Sequence, residues 1–151
     1  ALSSAASDVY KRQISEKSIK DLKILLVEDN ELNMEIAEFV IQNEGASVTK
    51  AWNGQEAVEI FKKSRPDEFD VILMDIMMPV MNGYEAAKMI RTLDRDDAKT
   101  VPIIAMTANA FTEDRLKSKE SGMNEHIAKP IDAKLLVKVI SEFVENKEED
   151  S

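Results

Sequence analysis

The sequence predicts one α/β domain with a doubly wound, five-stranded parallel sheet in the strand order 2-1-3-4-5. Short apolar runs alternate with helical patterns five times along the chain, and capping residues mark where most of the helices begin. Strands that alternate with helices form parallel sheets with right-handed crossovers and helices on both faces. A chain of 151 residues is long enough to give such a sheet a real core.

The first two strand-helix units follow one another without a long loop. Residues 24–27 are an apolar run that is too short for a helix and typical of a strand buried on both faces. The first helix follows and ends at Gly45. Residues 47–51 are a weaker, half-polar strand, and Asn53 caps the second helix. The apolar residues at helical spacing are Leu32, Ile36, Phe39 and Val40 in the first helix, and Ala57, Val58, Ile60 and Phe61 in the second.

The third unit begins with the apolar run 71–74, which predicts a buried strand. Asn82 caps the helix that follows, with Glu85 three positions later, and this helix runs to about residue 93. Residues 94–97 are charged and predict a polar loop. The fourth strand covers residues 102–106, because proline is tolerated as the first residue of a strand.

The last two units complete the sheet. Thr112 is the predicted cap of the fourth helix, which ends at Gly122. Residues 126–128 predict a short fifth strand, and Asp132 caps the final helix. The half-polar second strand suits an edge, and the apolar first and third strands suit the centre, which agrees with the order 2-1-3-4-5.

Composition limits the classes of function. The chain has 29 acidic and 20 basic residues, a net charge of −9, which disfavours a nucleic acid partner. It contains no cysteine, which excludes a disulfide frame, a thiolate metal site and a cysteine nucleophile. No apolar run is long enough to span a bilayer, and we expect a cytoplasmic protein. Residues 1–21 predict a linker or an artificial leader, 22–146 the folded domain, and 147–151 an acidic tail.

Chemically versatile side chains follow four of the predicted strands. The carboxyl ends of parallel strands share one edge of the sheet, so these residues become neighbours. Three carboxylates close together repel one another unless a cation intervenes, and oxygen ligands without histidine or cysteine suit Mg²⁺. An ammonium and a hydroxyl beside them make a receptor for a tetrahedral dianion. The residues are Glu28 and Asp29, Asp75, Thr107 and Lys129. Taken singly, each of these residues could be explained as a helix cap or a turn residue.

The motifs around these residues resemble the receiver domain of two-component response regulators. The resemblance covers about residues 22–145 and depends on LVEDN at 26–30, MDIMMPVMNG at 74–83, AMTA at 105–108 and KP at 129–130. It implies the flavodoxin-like (βα)5 receiver fold. It also implies that Asp75 accepts a phosphoryl group from a phosphohistidine, so that the domain catalyses its own phosphorylation, and that the Lys129–Pro130 bond is cis.

The same resemblance implies a role for each site residue. Mg²⁺ would be held by Asp29, Asp75, the backbone carbonyl of Met77 and, through a water molecule, Glu28. Phosphoryl oxygens would be held by Thr107, Lys129 and the backbone amides of Met77 and Ala108. Thr107 and the ring of His126 would form a conformational switch, although family members more often carry Tyr or Phe at the ring position.

The implied partners are a sensor histidine kinase or a histidine phosphotransfer protein, with no nucleic acid or membrane contact by this domain. We expect them to dock near Asn30, Asn33 and Pro130. Residues 27–33 and 105–111 are similar to receivers of hybrid sensor kinases, whose receiver can be tethered to a membrane-bound kinase. A stand-alone single-domain regulator is the alternative context. A docking module with this fold that is not phosphorylated is the alternative function.

Two other classes of protein fit the pattern less well. Phosphatases with an aspartate nucleophile commonly carry a second aspartate two residues later as the general acid, where this chain has Met77. Flavin-binding domains of this topology need a Ser-, Thr- and Gly-rich phosphate loop after the first strand. Here that loop begins with Glu28 and Asp29, which would repel a phosphate.

Overall fold

Five parallel strands form the centre of the computed structural model, which describes residues 18–108 and 115–149. The strands are β1 (Lys23–Val27), β2 (Ser47–Ala51), β3 (Val71–Asp75), β4 (Ile103–Thr107) and β5 (Glu125–Ala128). Their order in the sheet is β2-β1-β3-β4-β5, as predicted. In the central register, Ile72 of β3 lies beside Leu25 of β1 on one side and Ile103 of β4 on the other.

Capping side chains begin two of the helices at the residues that the sequence predicted, Asn53 and Asn82. The helices are α1 (Glu31–Asn43), α2 (Gly54–Lys63), α3 (Gly83–Thr92), α4 (Asp96–Thr100), α5 (Arg115–Glu120) and α6 (Ala133–Glu149). Asn53 and Asn82 each accept a hydrogen bond from the amide three residues later, at 2.8 and 2.9 Å. Such a cap stabilises a helix by about 1 kcal/mol. Gly45 has a φ of +90° just after α1, a conformation that glycine adopts without strain.

Alternating strand residues divide the core into two layers. Leu25, Ile72 and Ile103 face the layer covered by α2, α3 and α4. Ile24, Leu73 and Ile104 face the opposite layer, which α1 and α6 cover. Each central strand is therefore apolar on both faces, as expected for a parallel sheet with helices on both sides.

The prediction of which face of α1 is buried is wrong. Leu32, Ile36 and Phe39 are 64%, 43% and 71% exposed, and only Val40 of that set packs partly against the core. The residues that bury α1 are Met34, Ala37 and Ile41. This helix has two apolar faces, and periodicity alone did not show which one meets the sheet.

Two boundaries also differ from the prediction. The folded unit begins before residue 22, because Ile19 is fully buried in the α1 and α6 layer and the Asp21 amide donates to the Gly45 carbonyl at 2.9 Å. The predicted loop 94–97 is shorter than expected, because the short helix α4 already begins at Asp96. The predicted cap Thr112, the linker segment 1–17 and tail residues 150–151 lie outside the described residues.

Within the described part of the chain, no helix is both long enough and apolar enough to cross a bilayer.

Candidate functional site

A cleft of about 250 Å³ opens at the carboxyl edge of the sheet. The structure brings together there every residue predicted to hold metal or phosphate, although these residues come from four strand ends. They are Glu28, Asp29, Asp75, Met77, Thr107, Ala108 and Lys129, and the cleft is also lined by Asn30, Asn33, Ile76 and Met106. The parallel topology accounts for this convergence.

Asp75 is the last residue of β3 and lies at the base of this cleft, with only 4% of its surface exposed. The backbone around it leaves no room for a side chain at Gly83. A Cβ on Gly83 would lie 2.4 Å from the Asp75 carbonyl oxygen. The Gly83 amide donates to the Ile76 carbonyl at 2.9 Å, which brings the start of α3 against the end of β3.

Lys129 bridges the two buried carboxylates. Its Nζ lies 2.7 Å from Glu28 Oε2 and 3.1 Å from Asp75 Oδ1. The other oxygen of Glu28 accepts the Asn30 amide at 3.2 Å. Burial alone would lower the pKa of the Lys129 ammonium, but the hydrogen bond to Glu28 and the nearby charges raise it, so Lys129 is charged here.

The pKa of the Asp75 carboxyl is raised to about 7. Burial is the largest cause, because it disfavours the charged form, and repulsion from Glu28 adds to it. The charge of Lys129 acts in the opposite direction but does not cancel these two effects. Additional positive charge in the cleft would lower the pKa of Asp75 and favour its ionised form.

The acidic side chains fit a hard divalent cation. Glu28, Asp29 and Asp75 each offer one carboxylate oxygen, and these oxygens lie within 4.8 Å of one another. Asp29 is exposed while the other two are buried, so the cluster faces the mouth of the cleft. Carboxylate oxygens without nitrogen or sulfur donors are the ligand set that Mg²⁺ prefers.

Thr107 and His126 lie on the same face of the sheet. Thr107 ends β4 and is 1% exposed, and its carbonyl accepts the Lys129 amide at 2.8 Å. His126 is half-buried on β5, paired in register with Ala105, and its Nε2 lies 2.6 Å from Ser118 Oγ of α5. No pattern in the sequence indicated Ser118 as the partner of His126. The Lys129–Pro130 bond is cis, as the resemblance implied.

A strained turn closes the loop after Asp75. The Met81 amide donates to the Pro79 carbonyl at 2.7 Å, and Val80 between them has a φ of +69°. A β-branched residue in this region of backbone space is uncommon and costs of order 1–3 kcal/mol. Val80 is 76% exposed, so its side chain does not offset this strain by burial.

Two of the three predicted docking residues border a second, apolar recess beside the cleft. Asn33 and Pro130 line it together with Ile36 and Ile131, and Glu28 and Lys129 form its inner wall. Asn30, the third predicted docking residue, lines the neighbouring cleft instead, and its side chain caps α1 by accepting the Asn33 amide at 2.9 Å. The helical spacing of Ile36 predicts a core residue, so the sequence does not indicate that Ile36 lies on this surface.

Comparison with known proteins points to one family. The profile described as response regulator receiver domain matches residues 24–141. A hybrid signal transduction histidine kinase I of Dictyostelium discoideum is 36% identical over 131 residues, which cover 85% of this chain but only 8% of the kinase. The polar-differentiation response regulator DivK of Brucella anthropi is 34% identical, over 80% of this chain and 94% of DivK.

A solved structure agrees in fold and sequence. The receiver domain of a sensor histidine kinase from Pseudomonas aeruginosa PAO1 superimposes with a TM-score of 0.74 and 37% identity. The match covers 83% of this chain and 98% of that domain. That crystal structure has a magnesium ion coordinated in its active site cleft.

Proposed function

This chain belongs to the response regulator receiver domain family of two-component signalling, and from that membership we propose that Asp75 accepts a phosphoryl group from a phosphohistidine. The observation that supports this most directly is the placement of Asp75. It is a buried carboxyl at the base of the cleft, in ion-pair contact with Lys129 and beside Glu28 and Asp29.

In the proposed reaction, a carboxylate oxygen of Asp75 attacks phosphorus as the bond between phosphorus and the histidine nitrogen breaks. Positioning and charge neutralisation matter more here than covalent help. The Lys129 ammonium neutralises charge on a phosphoryl oxygen, and the Thr107 hydroxyl donates to another. The amides of Met77 and Ala108 line the same cleft and are proposed as further donors.

Mg²⁺ is the proposed cofactor, held by Asp29, Asp75 and the Met77 carbonyl, with Glu28 acting through water. When bound, it supplies positive charge that lowers the repulsion between the Asp75 carboxylate and the incoming phosphoryl group. The fit of three convergent carboxylate oxygens supports this choice.

Intact mass after incubation with acetyl phosphate tests the proposal. We expect the protein to gain one phosphoryl group in the presence of Mg²⁺ and to gain none when EDTA removes the metal. Hydroxylamine should reverse the gain, because it cleaves acyl phosphates and leaves phosphate esters intact. A wild-type protein that stays unmodified with acetyl phosphate and Mg²⁺ would disprove the acceptor role.

We place the partner surface on the exposed side of α1. Leu32, Ile36 and Phe39 form an apolar strip there, and Ile36 continues it into the recess with Asn33 and Pro130. A cluster of exposed apolar side chains beside the cleft is what a partner that presents a histidine would need to cover. The proposed partner is a sensor histidine kinase or a histidine phosphotransfer protein.

Ile36→Ser is expected to slow phosphoryl uptake from a phosphorylated histidine phosphotransfer protein by about tenfold, the effect of losing roughly 1.4 kcal/mol of docking energy. Uptake from acetyl phosphate should stay unchanged, because that small donor needs no docking surface. Met89→Ser is the matched control, since Met89 is 45% exposed against 43% for Ile36 and lies on α3 across the sheet. Equal rates for the two variants would argue against this surface.

For the wider context, we propose a hybrid sensor kinase, located in the cytoplasm or tethered there to a membrane-bound kinase. The motif similarity at residues 27–33 and 105–111 supports it. A stand-alone regulator is the alternative, because a single-domain relative matches along nearly its whole length, 94%. The two contexts differ in the next step, which is transfer to a histidine phosphotransfer protein in the first and a direct conformational output in the second.

A further inference from the structure

We propose that Met77 is a site of reversible oxidation to methionine sulfoxide and that this modification lowers the phosphorylation of Asp75. The inference rests on the proposed phosphoacceptor function and adds a form of regulation to it. Three features of the molecule lead to it: the supply of sulfur in the chain, the exposure of Met77, and its position in the cleft.

Methionine carries all the sulfur in this chain. The sequence has eight methionines and no cysteine, so a peroxide meets no thiol that would react first. Met77 is 74% exposed and Met89 45% exposed. The other six methionines are buried or half-buried, and four of them are at most 4% exposed. A mild oxidant should therefore reach Met77 before any other sulfur atom.

Met77 lies two residues after Asp75 and lines the same cleft. Two of the three neighbouring carboxylates there are buried, with Lys129 as the cation beside them. Sulfoxide formation replaces an apolar thioether with a polar group whose oxygen carries partial negative charge. Such a group at the wall of the cleft opposes the approach of a phosphoryl dianion and brings water towards an acyl phosphate.

The chemical step is a two-electron transfer to hydrogen peroxide. A lone pair on the thioether sulfur attacks one peroxide oxygen, the oxygen–oxygen bond breaks, and the sulfur–oxygen bond of the sulfoxide forms. The proton on the attacked oxygen passes to the departing hydroxide, so the peroxide is reduced to water as the sulfur is oxidised. Methionine sulfoxide reductases, one for each epimer, return the side chain to methionine. A dithiol is the reductant of that step: it is oxidised to a disulfide, and the sulfoxide oxygen leaves as water.

The test begins with hydrogen peroxide on the full chain, followed by peroxide removal and peptide mass spectrometry to map the sulfoxides. We expect Met77 to be oxidised first and Met89 second. The initial rate of uptake from acetyl phosphate with Mg²⁺ should fall by about threefold, equivalent to roughly 0.7 kcal/mol of transition-state stabilisation. Treatment with both reductases should restore the rate.

Three variants assign the effect to Met77. In Met89→Leu the oxidised protein should still lose about threefold in rate relative to its unoxidised form, whereas in Met77→Leu the two forms should react equally. Met77→Gln, a polar side chain of similar length, should be slow without any oxidant. A loss that persists in Met77→Leu, or a wild-type rate that is unchanged with Met77 fully oxidised, would overturn the inference.

The outcome separates this inference from the proposed function. If phosphoryl uptake is normal and its rate does not depend on the oxidation state of Met77, only the inference about Met77 is overturned. An unoxidised wild-type protein that takes up no phosphoryl group would overturn both.

Discussion

Asp75→Asn is expected to abolish phosphoryl uptake from acetyl phosphate and, at the same time, to make the folded domain more stable at pH 8. Uptake is lost because an amide has no carboxylate oxygen to attack phosphorus. Stability rises because the wild-type folded state must ionise a carboxyl whose pKa is raised to about 7 by burial and by Glu28. The unfolded chain ionises the same group near 3.8.

The pH dependence follows from that difference. Between about pH 4 and pH 7 the folded state binds more protons at Asp75 than the unfolded state, so ionisation of this group lowers the free energy of unfolding as pH rises. The asparagine variant lacks this loss. We expect it to be up to about 4 kcal/mol more stable than wild type at pH 8 in EDTA and nearly equal to it at pH 4.

Urea unfolding at the two pH values measures this prediction. Asp94→Asn is the control, because it removes one negative charge from an exposed position. Mg²⁺ should reduce the difference in free energy of unfolding between the wild type and the Asp75→Asn variant at pH 8. Binding to the folded state adds stability, and it should do so more for the wild type. A variant at Asp75 that is less stable than wild type at pH 8 would show that the Lys129 ion pair outweighs burial.

Arg95→Ala is expected to destabilise the domain by about 3 kcal/mol, roughly 10 °C in Tm. The Arg95 guanidinium holds Asp97 with two contacts of 2.6 and 2.7 Å. It also donates to the carbonyls of Phe61, Ser64 and Arg65 at the end of α2, at 2.8 to 3.0 Å. Asp97 is only 7% exposed, so removal of Arg95 leaves a buried carboxylate without its cation.

Two further measurements define the Arg95 effect. Arg95→Lys should recover part of the stability, because lysine keeps the charge but not the planar fork that reaches several oxygens at once.

Hydrogen bonding to Arg95 lowers the pKa of Asp97 below its ordinary 3.8. The stability that this pair contributes is present above that value and lost as pH falls through the lowered one, so wild type and variant should converge in acid. An alanine variant within 1 kcal/mol of wild type at pH 7 would contradict a clamp role for Arg95.

The sheet was predictable because its strands follow a simple rule. Strands buried on both faces appear as short apolar runs, and the half-polar run at 47–51 was correctly placed at the edge. The convergence of Glu28, Asp75 and Lys129 followed from the same topology, because every carboxyl end of a parallel sheet meets at one edge. The sequence could not show that Lys129 reaches Glu28 more closely than Asp75, since this depends on side-chain conformation.

The errors arose where two environments produce the same pattern. In α1, Ile36 and Ile41 are equally apolar, but one is exposed and the other fully buried, and helical periodicity cannot separate them. Ile19 lies among polar neighbours and gave no periodic signal, although it is fully buried. The helix at Asp96–Thr100 has one turn and no side-chain cap, so it resembled a charged loop.

Because Ile19 is fully buried, it fixes the chain to the fold just before β1, at the edge of the sheet away from the cleft. Residue 18 leads into β1 at the amino edge of the sheet, and α6, 17 residues or about 25 Å long, runs from the cleft side back towards that edge. Residue 18 and the last turn of α6 therefore both lie towards the edge of the sheet that is opposite Asp75. A link made through residue 18 or through the last turn of α6 would leave the mouth of the cleft facing solution, which the proposed entry of a phosphohistidine requires.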